Sequence, residues 1–306
     1  MPDRRECLAA LGGLALAACN RQRKRRIAVI PKGTSHIFWI SVQSGAEAAG
    51  KEFDVEILWN GPAQETEFSR QFQIIDSMAA QHVDGIAVAA AERQAVVAPV
   101  ERAVKAGIPV VVFDSALDSN QYLSYIATDN VEAGRLAARS LAGMLQGKGK
   151  VGVVMHAPGS ASTTDREVGF KEVIDRDFTG IKIVASQFSM SDRAKARAAA
   201  ENILTAHPDL SGIFASSEPS SVGAALAIKA RQATGTVSLV AFDSSDTMIE
   251  DLRAGAIDSM VVQDPYRMGY EAVKAIVDKL AGKTPPKRLD LNARVVTAAD
   301  LNEPEV

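Results

Sequence analysis

Residues 85–115 read GIAVAAAERQAVVAPVERAVKAGIPVVVFDS. The stretch opens on a short apolar run, Gly85–Ala89. It passes through a segment of helical spacing near 93–106 and closes on a second run, Pro109–Phe113, followed by Asp114 and Ser115. An unbroken apolar strand of this length has no polar face, so it belongs in a sheet covered on both sides. Two such strands joined by a helix form a parallel unit with a right-handed crossover.

The same alternation continues in both directions. Upstream lie Ile27–Ile30 and Val55–Trp59; downstream lie Tyr122–Ala127, Val151–Met155, Ile181–Ser186, Gly212–Ala215, Val237–Phe242 and Ile257–Val262. Helical spacing falls near 38–50, 66–81, 130–146, 165–176, 193–206, 219–231, 244–254 and 266–281. Within 66–81, Phe68, Phe72, Ile75 and Ala79 share one helical face. About five strands fall on either side of Gly147-Lys148-Gly149-Lys150, which divides the chain into two doubly wound, parallel-sheet α/β units. Pro285-Pro286 marks a turn before a last extended stretch, Leu289–Val296.

Composition bounds the function. The chain has 306 residues, 47% of them hydrophobic and 23% charged, which excludes wholesale disorder and suits two domains with a sizeable core. A net charge of −3 and a pI near 5.9 argue against a general nucleic-acid binder. The two cysteines, Cys7 and Cys19, provide neither a disulfide framework nor a metal site inside the folded body. No Gly-x-Ser-x-Gly elbow, phosphate loop, His-Glu-x-x-His or Gly-x-Gly-x-x-Gly occurs. Asp114 and Asp243 could serve as an acid/base pair, but no nucleophile stands out. A non-enzyme is expected, with no cofactor and no metal.

The N-terminus has the layout of an export signal over residues 1–18: Arg4 and Arg5, an apolar segment Leu8–Ala18, then small residues before Cys19. At about half of the ~20 residues a membrane-spanning helix needs, Leu8–Cys19 does not read as a span. Residues 19–26 include RQRKRR (21–26), a basic tether with possible contact to anionic headgroups.

In open α/β sheets ligands collect beyond the carboxyl ends of the strands. Those positions hold His36, Phe38 and Trp39; Asp114 and Ser115; the polar loop Pro158–Thr164 with Arg166; Ser217; Asp243; and Gln263. Carboxylates accept hydrogen bonds, Arg and Gln donate them, and an aromatic ring covers an apolar C–H face. That set suits a polyhydroxylated ligand such as a monosaccharide or polyol. His82, His156 and His207 read as structural.

These residues strongly resemble the type I periplasmic binding proteins, in particular the ribose/galactose-type sugar-binding proteins of ABC transporters. The resemblance covers about residues 26–297. It is carried by Phe38-Trp39 with Gly45, Asp114, Ala127-Thr128-Asp129-Asn130 with Gly134, Arg166-x-x-Gly169-Phe170, Ala206-His207-Pro208-Asp209, Phe242-Asp243, and Gln263-Asp264-Pro265 with Gly269. It implies that Phe38 and Trp39 sandwich a sugar ring and that Asp114, Arg166, Asp243 and Gln263 bind its hydroxyls. It also implies three chain crossings at a hinge near Thr128, Gln263 and Leu291. The lobes are then 27–128 plus 264–290 and 129–263 plus 291–306.

Relatives that bind ribose usually have Asn, Arg and Asn where His36, Ser115 and Ser217 stand. The shorter side chains at Ser115 and Ser217 lead to the expectation of a different, larger ligand. Leu16-Ala17-Ala18-Cys19 also resembles a lipobox, which implies acylation of Cys19, and Asp3–Leu8 resembles a twin-arginine signal. The resemblance implies a monomeric, membrane-anchored envelope protein that delivers a sugar to an ABC permease and its ATPase. A sensor presenting its ligand to a chemotaxis or signalling receptor is the alternative. A repressor of the same fold would need a helix-turn-helix where the export signal stands.

Overall fold

The computed structural model describes residues 23–302; the readings of residues 1–18 and of Cys19 lie outside them. In the first half, strands β1 (Arg26–Ile30), β2 (Glu56–Trp59), β3 (Gly85–Val88), β4 (Val110–Phe113) and β5 (Ser124–Thr128) alternate with helices α1 (Ile37–Glu52), α2 (Phe68–Ala80) and α3 (Val97–Lys105). The second half holds β6 (Lys148–Met155), β7 (Gly180–Phe188), β8 (Leu210–Ala215), β9 (Ser238–Phe242) and β10 (Ser259–Val262). Its helices are α4 (Asn130–Met144), α5 (Ala161–Asp177), α6 (Arg193–Ala206), α7 (Glu218–Ala230) and α8 (Asp246–Arg253). Helix α9 (Pro265–Leu280) and strands β11 (Arg288–Leu291) and β12 (Arg294–Val296) follow.

The strands form two six-stranded sheets, ordered β11-β5-β4-β3-β1-β2 and β12-β10-β9-β8-β6-β7. The orders match position for position, so each sheet is a doubly wound unit and the second repeats the plan of the first. The central strands of the first are sandwiched by apolar clusters on both faces, one around Val29, Val111 and Phe113, the other around Ile30, Val88 and Val112. That double cover is why the strands read as continuous apolar runs.

The chain passes between sheets three times: after β5, after β10, and between β11 and β12. One departure from an all-parallel pattern follows. β12 pairs antiparallel with β10. Strand β11 runs parallel to β5, and the two residues after it carry the chain straight across. The chain therefore enters the second sheet from the end at which the other strands leave it.

Helix starts are chemically marked. Asp129, Asp192 and Asp264 each accept a backbone N–H three residues on, at the heads of α4, α6 and α9. Two starts differ from the sequence reading. Helix α5 begins at Ala161, inside the stretch read as a polar loop, because Ser and Thr are tolerated in a first turn whose N–H groups bond outside the helix: Ser162 N–H donates to Ser115 Oγ (3.2 Å). Helix α3 begins only at Val97, because the Glu92 carboxylate accepts from the N–H groups of Gln94 and Ala95 and bends the chain first.

Two helix pairs pack at backbone contact. A Cβ on Gly45 of α1 would lie 1.9 Å from the carbonyl oxygen of Tyr266 in α9, and one on Gly134 of α4 would lie 2.0 Å from that of Arg166 in α5. Only glycine permits this approach. It ties α9 to the first sheet, although α9 follows the second in sequence.

Candidate functional site

A narrow cavity of about 30 Å³ lies between the two sheets' loop ends, well below ordinary ligand-site volumes in this closed form. Both halves supply its wall. From the first come Lys32, His36, Phe38, Trp39, Glu65 and Asp114; from the second come His156, Ser162, Thr163, Arg166, Ser217, Glu218 and Asp243, with Gln263 at a crossing. Eight of the nine residues expected at the site line it: His36, Phe38, Trp39, Asp114, Arg166, Ser217, Asp243 and Gln263.

Asp114 and Asp243 occupy equivalent places, each just after the matching strand, β4 or β9. Both backbones are left-handed, at φ 56° and 69°, a region that Asp tolerates better than most residues. Asp243 Oδ2 accepts the N–H of Glu218 (2.9 Å) and Oδ1 accepts from Gln263 Nε2 (2.6 Å). Gln263 Oε1 in turn accepts from Thr128 Oγ1 (2.7 Å), which links two crossings. Burial raises the Asp243 carboxyl above the usual range, against the pull of Arg166 and these hydrogen bonds.

Arg166 is buried in α5. Its Nε donates to Asn130 Oδ1 (2.8 Å), its Nη1 donates to the Ser216 carbonyl (3.0 Å), and its guanidinium carbon stands 3.8 Å from the Phe242 ring centroid. A desolvated cation–π contact of this kind is worth about 2 kcal/mol. The arrangement fixes the guanidinium before any ligand arrives.

The aromatic pair departs from the expected sandwich. Phe38 is half-buried on the cavity, but Trp39 is 2% exposed and packs edge-on against Phe113 in the core. The two rings meet at 88°, forming a corner, and Trp39 Nε1 donates to Glu65 Oε1 (2.9 Å).

Ser115 and Ser217 do not open space for a larger ligand. Ser115 stands behind the wall, where its Oγ accepts the N–H of Ser162 from the other half. Beside it Lys32 lies 3.0 Å from Asp114 and donates to Ser160 Oγ (3.2 Å) and Ser162 Oγ (2.8 Å). At the other serine, His156 Nδ1 bonds Ser217 Oγ (3.0 Å) while Nε2 meets Glu65 Oε2 (3.0 Å). His156 is thus a wall residue, contrary to its reading as merely structural. Burial opposes the Glu65 charge, but His156, with Lys32 and His36 nearby, carries its carboxyl well below the usual range.

These contacts also join the halves. His36 Nε2 meets the Ser191 carbonyl (3.2 Å) and hydroxyl (3.1 Å), and Arg93 N–H donates to the Gly159 carbonyl (3.0 Å). The cleft is closed. Lys32 and Glu65 are wall residues that the sequence reading passed over; Glu218 follows β8 as one of the strand-end carboxylates but was not singled out.

The periplasmic binding protein domain profile matches residues 27–284. The chain belongs to that family. Among curated relatives of this periplasmic binding protein, the D-ribose/D-allose-binding protein of Pseudomonas aeruginosa is 29% identical over 275 residues, covering 87% of this chain and 86% of its own. A carbohydrate transporter solute-binding protein from Agrobacterium radiobacter, solved with D-arabinose, superposes with a TM-score of 0.90 at 31% identity over 93% of this chain and 98% of its own. An ABC transporter solute-binding protein from Agrobacterium vitis with bound D-fucose gives 0.89 at 33% identity, covering 92% and 98%. Among the described residues no helix is long and apolar enough to cross a membrane.

Proposed function

We propose that this protein is the substrate-binding component of a sugar ABC importer, capturing one monosaccharide or polyol between its lobes and handing it unchanged to a membrane permease and its ATPase. The observation that carries the reading is the closed interlobe cavity. Polar groups from both halves converge on it, and one buried carboxylate oxygen from each, on Asp114 and Glu218, has no hydrogen-bond partner among the described residues, although Lys32 Nζ stands 3.0 Å from the Asp114 oxygen. A neutral polyol supplies such donors, and the half-buried Phe38 ring offers a face for its C–H groups. The sugars named for the relatives point the same way.

The mechanism is a population shift. A ligand that touches both lobes binds the closed form better than the open one, and so favours closure. The lobes are 27–128 plus 264–290 and 129–263 plus 291–306, with Thr128, Gln263 and Leu291 as hinge points. The closed monomer then docks on the permease.

Residues 1–18 serve as an export signal, and an acylated Cys19 anchors the protein at the envelope membrane. One acyl chain binds only marginally, so multiple acylation is required. Cys19→Ala abolishes lipid labelling in this reading; normal labelling of the variant removes the anchor.

A thermal-shift screen of the purified protein against neutral pentoses, hexoses and polyols tests the main proposal. A true ligand at 100 times its Kd stabilises the native state by about 2.7 kcal/mol and raises the midpoint. No shift and no calorimetric heat with any member of the panel would defeat the reading.

A further inference from the structure

Glu218 is the first residue of α7 and is 1% exposed. One carboxylate oxygen is held by the Arg193 guanidinium, and its N–H is spent on Asp243. The other, Oε2, is buried with no hydrogen-bond partner among the described residues, and Glu218 is one of the cavity-lining residues; His36 Nδ1 stands 3.6 Å from this oxygen, beyond hydrogen-bond range. Asp114 Oδ2 is the matching orphan on the first lobe. Lys32, at 3.0 Å, compensates its charge without a well-aligned hydrogen bond. A buried anionic oxygen left without a donor is unfavourable, and such groups in folded proteins normally find one. No described side chain occupies that place for Glu218.

We propose that Glu218 is a ligand-contacting residue whose free oxygen accepts a hydrogen bond from one particular hydroxyl of the bound sugar. This deepens the sugar-binding reading and rests on it. A carboxylate can only accept. The end of the ligand near His36 must therefore carry a free hydroxyl; an ether oxygen, a methyl group or an acidic substituent there is refused. With Asp114 on one lobe and Glu218 on the other, the preferred ligand donates in both directions and spans the cleft. Arg193, at the rim, holds the carboxylate in place and is not itself in the cavity lining.

The test is calorimetry on the full chain with the tightest-binding neutral monosaccharide and its complete set of monodeoxy analogues. Wild type, Glu218→Ala and Glu218→Gln are compared. A site that hydrogen-bonds a hydroxyl strongly rejects the analogue lacking it, so one monodeoxy sugar should bind wild type at least about 30-fold more weakly than the parent. In Glu218→Ala that analogue and the parent should differ by less than about threefold, because the oxygen that discriminated is gone. Glu218→Gln, which keeps the shape, should retain folding and lose most of the discrimination. Equal weakening of the parent and every analogue in both variants would mean a structural role and overturn the proposal. A wild type that binds no member of the panel would remove the sugar reading itself, and this inference with it.

Discussion

The carboxylates of the cleft share one compartment yet titrate in opposite directions. Asp243 and Glu218 are raised by burial, Glu218 despite Arg193 and His36; Glu65 is lowered because His156, Lys32 and His36 outweigh its burial. A lowered carboxyl contributes stability that is present above its unfolded value, 4.5 for Glu65, and is lost as pH falls below it. Raised carboxyls act in the other sense: they bind protons more readily in the native state, so their contribution declines as pH climbs through the ordinary carboxylate range. Glu65→Gln should therefore flatten the acid limb of a plot of thermal midpoint against pH below about 4.5. An unchanged limb would mean that the Glu65–His156 pair does not couple to folding. For binding, Asp243→Asn keeps one acceptor oxygen and turns an amide NH2 towards the other donor, so either Gln263 Nε2 or the Glu218 N–H loses its acceptor. Hydrogen bonds to charged groups are worth about 1.5–3 kcal/mol, so affinity for the true ligand should drop at least tenfold with folding intact. Isothermal calorimetry decides it, and equal affinity would take Asp243 out of the site. The rule that ligand groups follow strand ends found both aspartates. It also covers Glu65, which follows β2. But a glutamate in a polar loop carries no mark of burial; that arises from His156, 91 positions away, and Lys32 is likewise buried only because Ser160 and Ser162 close over it from the other lobe.

At the scale of elements, what positions the site is backbone-to-backbone helix packing. Gly134→Ala places a Cβ 2.0 Å from the Arg166 carbonyl, so α4 and α5 must separate. Overpacking of this kind costs about 1–3 kcal/mol. Urea unfolding should show that loss, and ligand affinity should fall with it, because Arg166 moves with its helix. A variant as stable as wild type would mean that the helices slide freely. Strands and helices were largely legible from the apolar runs and their spacing, since sheets covered on both faces leave little ambiguity. The failures came where side chains, not propensity, set a boundary: Glu92 delaying α3, and the Ser115–Ser162 bond letting α5 start early. The expectation of free space beside the two serines failed similarly. Short residues at Ser115 and Ser217 suggested room, but Lys32 and His156 reach in from elsewhere and fill it.

For the whole molecule, closure is held by the protein's own cross-lobe bonds: Lys32 to Ser160 and Ser162, Glu65 to His156, His36 to Ser191. A Lys32→Ala/His156→Ala double variant should show a larger ligand-free radius of gyration in solution scattering than wild type, with addition of ligand shrinking it. Identical ligand-free profiles would show that these bonds do not bias the equilibrium. The two-unit plan was visible in the sequence as two sets of five strands, although Lys148–Lys150 prove to open β6 and the chain crosses earlier, after β5. The match of strand orders was not, because register and sheet neighbours depend on long-range pairing.

The return of α9 and β11 to the first sheet has a consequence for biogenesis. During synthesis the amino-terminal lobe waits, with the Gly45 face of α1 uncovered and the outer edge of β5 unpaired, until α9 and β11 have emerged. The intervening lobe behaves as an insertion lacking only β12 and can fold first. A released fragment ending at residue 263 should thus protect amides in β6–β10 from exchange while those on the outer edge of β5 remain labile.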